Sequence, residues 1–420
     1  MTRITLASAA VAVAAIAVVG ADRTFSASGL VTAATGTRDR GPGPDSAQVA
    51  RFLTALRGSD PLICEDIADS FGNFWWGHGR NGKTIGQLAD RGAGTRALRD
   101  SLRHRVRDPK AITLLAGTLD TDNPCVRRVA AKMLGQSVDA SRSQILAGAR
   151  SPNVRIREAA LYSLAVAEDP GTREVIERAA GDADANVAAM AAFALGELED
   201  ARSLAVLERL VEHPSVRVRH TVIWSIGQLE EERGVGRLLP ALRDRDPTTR
   251  ALAADALGQI ESRQAVAALL PLVEDPAAPV RQAAVEALGE IEDPRAASAL
   301  AKALGDDESD IRRAAAQALG QLDELHEAPP ALRSALGSDD VELRRAAAEA
   351  LGEIADPSSI PALGARIADP DLETRRAVVD ALSSIEHPDV VRWLMRALKD
   401  EDPEIRKKAA EALGEHGKSH

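Results

Sequence analysis

The sequence predicts an all-α fold: a right-handed α-solenoid of about twelve helix pairs, each of ~31 residues. The chain has 420 residues, too many for a single hydrophobic core. Only 2% of them are aromatic, whereas Ala and Leu are abundant, which favours close-packed helices over a sheet core. A Leu-Gly motif or a close equivalent also recurs every 30 to 32 residues. Repeats of this length bury their apolar surface by stacking on their neighbours, which produces an elongated array.

The N-terminal segment has the form of an export signal. Arg3 is followed by an uncharged run from Ile4 to Ala21 and then by Asp22. Small residues at the end of the run allow cleavage after Ala21. The run is also long enough for a membrane anchor, so residues 1–21 are predicted to be a signal peptide or an anchor. In both cases the body of the protein is expected outside the cytoplasm, as a periplasmic or secreted protein.

The next two segments are predicted to be irregular. Residues 22–44 are rich in Thr, Ser, Gly and Pro and are predicted to form a flexible linker. Residues 45–103 are predicted to form atypical capping repeats, interrupted by an aromatic, Gly-rich loop. In that loop, Trp75 and Trp76 are expected to cover the open end of the solenoid. A second contact with a partner protein is the alternative for these rings.

The regular solenoid is predicted for residues 104–417. The stretch from Asp246 to Gly258 has a Pro near its start, apolar residues at helical spacing and a terminating Gly region, which predicts one helix. The apolar stretch 265–272 predicts the second helix of the same unit. The Gly positions that define the repeat are Gly72, Gly135, Gly196, Gly227, Gly258, Gly289, Gly320, Gly352 and Gly414, with Arg103, Ala165 and Ser383 at the degenerate ones.

The amino-acid sequence of the repeat unit resembles that of a known family. Residues 340–354 read Asp-Val-Glu-Leu-Arg-Arg-Ala-Ala-Ala-Glu-Ala-Leu-Gly-Glu-Ile. This resembles the HEAT-repeat family in its short, bilin-lyase-like (E-Z type) form, whose units read DPxVRxxAAxALGxI. The resemblance implies a scaffold or adaptor, and in a few relatives an enzyme.

A ladder of arginines stands eight residues before most of the Gly positions. An Arg at the start of each inner helix, beside Asp or the backbone carbonyls of adjoining turns, would join neighbouring units. We therefore assign the ladder to architecture rather than to an anion-binding groove. Ala188 interrupts it. The ladder consists of Arg127, Arg157, Arg219, Arg250, Arg281, Arg312, Arg344, Arg375 and Arg406.

A second set of positions is predicted to line the inner groove. The residues seven and three before each Gly position, and one after it, share a helix face. Tyr162, Phe193 and Trp224 occupy the middle position in three consecutive units, where most other units have Asp or Glu. We hypothesise that this aromatic stripe is an exposed apolar patch, with His220 at its rim, that binds a segment of a partner protein. Burial of the rings in the core is the alternative.

Composition and motifs exclude several other functions. The net charge of −11 comes from interspersed residues of both signs, so nucleic acid is not expected as a partner. Cys64 and Cys125 are expected to lie two repeats apart, too far for a disulfide, and their spacing predicts no zinc site. A phosphate-loop pattern at residues 77–84 lacks the β-strand and parallel sheet that such loops require.

The sequence thus predicts a non-catalytic scaffold or adaptor outside the cytoplasm, with a protein partner in the inner groove and no cofactor or metal. Membrane contact is expected only if the N-terminal segment stays uncleaved. The alternative is a bilin-lyase-like or metal-dependent modifying enzyme built on the same repeats. For the metal-dependent relatives, the resemblance implies His-Glu pairs on successive inner helices, whereas here the pair occurs once, at His326-Glu327.

Overall fold

The computed structural model describes residues 43–57 and 105–416, and within these ranges every regular element is helical. The α-helices are α1 Ser46–Arg57, α2 Pro109–Thr118, α3 Pro124–Gln136, α4 Val138–Gly148, α5 Val154–Ala167, α6 Arg173–Ala179, α7 Ala185–Glu197, α8 Leu204–Glu208, α9 Val216–Gln228, α10 Val235–Leu238, α11 Pro247–Gln259, α12 Val266–Leu269, α13 Ala278–Glu290, α14 Ala297–Ala303, α15 Ser309–Gln321, α16 Pro330–Ala335, α17 Val341–Ile354, α18 Ile360–Ala365, α19 Leu372–Ser384, α20 Val391–Ala397 and α21 Pro403–His416. Several 3₁₀ helices precede or extend the short helices, at Pro170–Thr172, Ala201–Ser203, Glu232–Gly234, Leu239–Arg243, Leu270–Glu274, Pro294–Ala296, Pro357–Ser359 and Pro388–Val390.

The helices form two layers. From α3 onward the odd-numbered helices are long, with 13 or 14 residues, and each packs against the next long helix. The even-numbered helices are short, and each packs on the long helix that follows it in the chain. The core runs continuously between the layers, and from Leu134 to Leu382 the apolar residue before each Gly position is fully buried. The fold is therefore an α-solenoid, as predicted, with ten helix pairs between residues 109 and 416.

The long helices begin where the sequence predicts them. Asp246 is the N-cap of α11, because its side chain accepts a hydrogen bond from the backbone N–H of Thr249 at 3.1 Å. Pro247 occupies the first helical position, where its missing N–H has no cost. Side-chain caps of the same kind are made by Asn123, Asn153, Asp184, Asp340 and Asp371.

The helix predicted for residues 246–258 ends one residue after its glycine, and the glycine itself is helical. Helix α11 continues through Gly258 to Gln259, and the chain turns at Glu261, which has a left-handed φ of 53°. A Cβ added to Gly258 would lie 2.9 Å from the Cα of Ala287 on α13, so this glycine lets the two helices approach closely. The same contact with the next repeat is made by Gly227, Gly289, Gly320 and Gly352. Left-handed φ values also occur at Glu168, Glu199, Glu230, Glu292, Glu324 and Ala355.

The second helix of the unit is shorter than predicted. The apolar stretch 265–272 forms α12 only from Val266 to Leu269, and Leu270–Glu274 is a 3₁₀ helix. Pro271 accounts for the change, because it lacks the backbone N–H that an α-helix would pair with the carbonyl four residues earlier. The short layer is consequently a series of brief helices with tight turns.

The arginine ladder joins neighbouring repeats. Nε and Nη2 of Arg250 donate to the two carboxylate oxygens of Asp275, at 2.9 and 2.7 Å, and Nη1 donates to the carbonyl of Asp244 at 2.8 Å. The hydrogen bond from Arg281 to Asp306 holds the pKa of that carboxyl group below its usual range. Two-pronged pairs with an Asp 25 residues later are also made by Arg157, Arg281, Arg344 and Arg375.

The ladder is interrupted in the middle of the chain. Ala188 takes the ladder position of α7, and His213 stands 25 residues later, where an Asp partner would be. In the next repeat Arg219 donates to the carbonyl of His213 at 2.9 Å but makes no ion pair with Asp244, which is 25 residues later. The remaining ladder residues, Arg127, Arg312 and Arg406, donate to carbonyls of their own turns, and Arg312 also lies 3.7 Å from Asp340.

Cys125, in the first turn of α3, is disulfide-bonded. The chain has only one other cysteine, Cys64, so the expectation that the two cysteines cannot meet is wrong. That expectation assumed two regular 31-residue layers between them, an assumption that the irregular sequence of residues 58–104 does not support. Cys64 itself lies outside the described residues.

Other predicted segments also lie outside the described residues: the signal peptide or anchor at 1–21, most of the 22–44 linker, and the loop with Trp75 and Trp76. Within residues 43–57 and 105–416, no helix combines the length and apolar character needed to cross a membrane.

Candidate functional site

The long helices leave one side uncovered by the short layer. We call this side the long-helix face, and define it by the positions seven and three residues before each Gly position and one after it. Its middle row reads Lys132, Tyr162, Phe193, Trp224, Asp255, Glu286, Gln317, Glu349, Asp380 and Glu411. The first three side chains of the row are buried, Trp224 and Asp255 are half-buried, and Glu286 and Glu411 are exposed. The face therefore changes in character along the solenoid.

The aromatic stripe is more buried than predicted. Tyr162 is 9% exposed, Phe193 is 5% exposed, and Trp224 is half-buried. The rings of Phe193 and Trp224 stack with their centroids 5.1 Å apart. A Cβ on Gly196 would lie 2.9 Å from the ring of Trp224, so small residues on α7 let this ring settle against the helix. The expectation of three exposed rings is thus wrong for Tyr162 and Phe193, and contact with a partner stays a prediction for the stripe.

His220 lies on the face but is held by the next repeat. Its Nε2 is 3.1 Å from Oδ2 of Asp246 and 2.8 Å from Oγ1 of Thr249, both at the start of α11. This contact links α9 to α11 at the step where Arg219 leaves Asp244 unpaired. In the structure, His220 therefore joins two repeats, and its predicted role at the rim of a binding patch is not tested.

A hollow of about 190 Å³ opens on the face beside Tyr162. Four consecutive long helices, α3 to α9, contribute to its wall, which includes Arg128, Met190 and Arg217. The hollow lies where α7 carries Ala188 and Ala189 in two adjacent positions that hold larger side chains in most repeats. We call it the arginine hollow.

The middle of the face is acidic and lacks compensating cations. Burial, followed by the charges of Glu286 and Glu290, raises the pKa of Asp255 to about 7. Burial and two neighbouring carboxylates likewise raise the pKa of Glu197 to about 7. No salt bridge joins the side chain of Asp255, Glu286, Glu290 or Glu197 to another described residue. In contrast, burial lowers the pKa of Lys132, near the N-terminal end of the face, to about 8.

The C-terminal part of the face is compensated. Arg376 pairs with Glu373 at 2.8 Å and with Asp402 of the next repeat at 3.1 Å. Arg345 similarly pairs with Glu342. This region therefore resembles an ordinary solvated helix surface, as the sequence predicts.

Sequence reasoning missed the arginine hollow. Two signals were available: the consecutive alanines at 188 and 189, and the absence of an acid three residues before Arg128, where Cys125 stands. The depth of a hollow depends on the spacing of four helices, however, which the pattern of residues alone does not give.

The described residues contain no candidate metal site, because no group of three or more His, Cys, Asp or Glu side chains among them is placed to hold an ion. His326 and Glu327 are exposed in the connection before α16. The ligand pattern of the metal-dependent relatives is therefore not reproduced in the part of the chain that the structure describes.

Comparison with known proteins identifies the repeat. A family model described as HEAT repeats matches residues 172–239, 235–320, 306–373 and 360–420, which together form more than half of the chain. No curated protein sequence matches significantly.

Solved structures share the fold at low identity. A crystal structure of importin beta is 14% identical, with a TM-score of 0.54, over 92% of this chain and 58% of that protein. A structure of Kap95p with RanGDP is 16% identical with a TM-score of 0.50, over 88% of this chain and 55% of that protein. The complex of CpcE and CpcF of phycocyanin lyase from Nostoc is 21% identical with a TM-score of 0.35, over 58% and 94%. This chain thus spans somewhat more than half the length of the two importin-type proteins.

Proposed function

Because this chain belongs to the HEAT-repeat family, we propose that it is a non-catalytic scaffold or adaptor that binds a segment of a partner protein along the long-helix face. Solenoids of this kind present a long continuous surface formed by stacked repeats. The importin-type neighbours support a protein as the partner in general terms, since one of them is described in complex with RanGDP. They share the fold with this chain but do not identify its partner.

The uncompensated acidic region of the face carries this proposal. In the C-terminal repeats, carboxylates of the same face have cationic partners: Glu349 lies 3.8 Å from Arg345, and Asp380 pairs with Lys408. Asp255 and Glu197 have no such partner, and at neutral pH their charges cost folding free energy because the groups are partly desolvated. Such a region gains stability when cations of a second molecule approach it. A partner segment with Lys or Arg over the middle of the face meets this condition.

We further propose that the protein acts outside the cytoplasm, in the periplasm or as a secreted protein, anchored if residues 4–21 are retained. The apolar run after Arg3 supports export. The disulfide at Cys125 supports it independently, because such bonds persist mainly in oxidising compartments. Fusion of residues 1–44 to alkaline phosphatase should give an active enzyme. An inactive, cytoplasmic fusion would contradict export.

Site-specific photo-crosslinking in cells tests the binding face. Benzoylphenylalanine is introduced at Gln317, an exposed position of the face on α15, or at Ser298, an exposed position on the short helix α14, which packs on α15. We expect one defined crosslinked protein from Gln317 and none from Ser298. Equal crosslinking from both positions, or from neither, would contradict binding at this face.

Purification distinguishes the scaffold from the enzyme alternative. A scaffold is expected to be colourless and free of stoichiometric metal when isolated from its own envelope. A bound chromophore or one equivalent of metal would instead favour a lyase-like or metal-dependent enzyme.

A further inference from the structure

Arg128 differs from the other arginines of its row. It stands seven residues before the Gly position, as do Arg313, Arg345 and Arg376, and each of these three pairs with a carboxylate three residues earlier. The residue three positions before Arg128 is Cys125, which is disulfide-bonded. Arg128 is half-buried and makes no hydrogen bond or ion pair with any described residue. Among the described arginines of this row, Arg128 therefore lacks the anion that Arg313, Arg345 and Arg376 have.

The surroundings of Arg128 provide space for that anion. The guanidinium group lines the arginine hollow, whose volume of about 190 Å³ is below the roughly 300–1,000 Å³ of small-molecule sites. A hollow of this size accepts about one side chain. Its apolar wall is formed by Met190, the edge of Tyr162 and three alanines.

The charge of the hollow favours an acidic guest. Arg127, Arg128 and Arg217 line it together with one carboxylate, that of Glu158. Arg127 donates to the carbonyl of Thr121, and Arg217 donates to the side chain of Asn186. Glu158 makes no ion pair with Arg128, although both line the hollow. The local excess of positive charge contrasts with the acidic region of the same face around Asp255.

We propose that the arginine hollow binds a glutamate or aspartate side chain of the partner segment, with Arg128 as the carboxylate-binding residue. An apolar neighbour of that acid would contact Met190 and the edge of Tyr162. Arginine suits this role, because its planar group binds carboxylates through two parallel hydrogen bonds, as the ladder pairs of this chain do. The inference rests on the proposed function, since it specifies which chemistry the partner presents at one end of the long-helix face.

A peptide selection tests the inference. A phage library of random twelve-residue peptides, fused so that their C-terminus is not free, is selected on the immobilised full chain. The enriched peptides are then made with a fluorescent label in two forms, one with the acid and one with the corresponding amide. We expect the wild-type chain to bind the acidic form at least ten-fold more tightly than the amide form.

Three variants locate the effect. Arg128→Gln should bind both forms equally, at the affinity of the amide form. Arg313→Gln, the matched control in the same row, should keep the wild-type preference, because its guanidinium group is already paired with Asp310. Glu158→Gln should tighten binding of the acidic form several-fold, because it removes the one carboxylate among the described residues that line the hollow. Circular dichroism confirms that each variant is folded, and the Glu158 variant tests the site independently of any loss of stability at Arg128.

The outcomes separate this inference from the proposed function. If peptides are enriched but bind equally in acid and amide forms, the carboxylate site is wrong and binding at the face stands. If the preference persists in Arg128→Gln and is unchanged in Glu158→Gln, the hollow is not the site. If no peptide is enriched and Gln317 gives no crosslink, both proposals fail.

Discussion

Replacing Asp255 by Asn should stabilise the protein at neutral and alkaline pH. Asp255 lies in the middle of α11, and its pKa is raised to about 7, first by burial and then by Glu286 and Glu290. In the unfolded chain an Asp titrates near 3.9. The folded chain therefore holds the proton more tightly, so wild-type stability falls as the pH rises from about 4 through 7.

The size of the effect follows from that difference. A change of about 3 pKa units corresponds to about 4 kcal/mol at 1.36 kcal/mol per unit. This is an upper bound, because Asp255 is only partly buried and salt screens the two neighbouring charges. We expect Asp255→Asn to stabilise the chain by about 1–2 kcal/mol at pH 8 and by no more than a few tenths at pH 4.

Urea unfolding at pH 4 and pH 8, followed by circular dichroism, measures this difference. Glu327→Gln serves as the control, because Glu327 is exposed in the connection before α16. The reasoning is refuted if Asp255→Asn is destabilising at pH 8, or if its effect is equal at the two pH values. An equal effect would show that packing of the amide, and not the charge of the carboxylate, determines stability at this position.

Three further substitutions test the repeat itself, each by urea unfolding. Gly258→Ala should destabilise the chain by about 1–3 kcal/mol, because the added Cβ would meet Ala287. This cost should exceed the roughly 1 kcal/mol by which Ala is favoured over Gly in a helix. A more stable variant would show that the two helices can move apart without cost. Asp306→Asn should cost about 2 kcal/mol at pH 7, because it breaks the pair with Arg281. Since this pair lowers the pKa of Asp306, the difference from wild type should be lost as the pH falls below the usual range of an Asp carboxyl group, where Asp306 takes up its proton, and a difference that stays constant with pH would contradict this. Glu230→Gly should stabilise by about 1 kcal/mol, because Glu230 has a φ of 49° in the left-handed region, and destabilisation would mean that its side chain makes a necessary contact.

The fold was predictable because its information is local. A period of 30 to 32 residues, an Asp-Pro start and apolar residues at helical spacing are sufficient to define the helix pairs. The glycine of the repeat also has a packing role that the sequence did not reveal. A Gly near the end of an apolar helical stretch is typical of a helix terminus, whereas here Gly258 serves the approach of α13 to α11. A glycine that only ends a helix and one that also permits close packing differ in their distance to the neighbouring helix, which the sequence alone does not give.

The candidate site was less predictable because it depends on depth. The positions of the face follow from helical periodicity, and the rings of the aromatic stripe do lie on it. Their burial, however, depends on how closely α5, α7 and α9 pack, which the small residue Gly196 permits. That Arg128 lacks an anionic partner becomes clear only by comparison with the arginines at the same position in distant repeats. The contacts of these arginines are visible only in the three-dimensional structure.

The interrupted arginine ladder makes the solenoid unevenly stiff. Repeats that touch only their neighbours behave like springs in series, so the most compliant junction takes up most of any bending. The junctions on either side of α9 lack the two-pronged Arg–Asp pair, since Ala188 replaces one arginine and Arg219 makes no ion pair with Asp244. At the second of them, His220 makes side-chain hydrogen bonds to the start of α11, and Gln228 donates one to Gln259 at its end. Flexing at this point changes the distance between the arginine hollow and the acidic region, so the chain can adjust to partners of different curvature without disturbing the rest of its length.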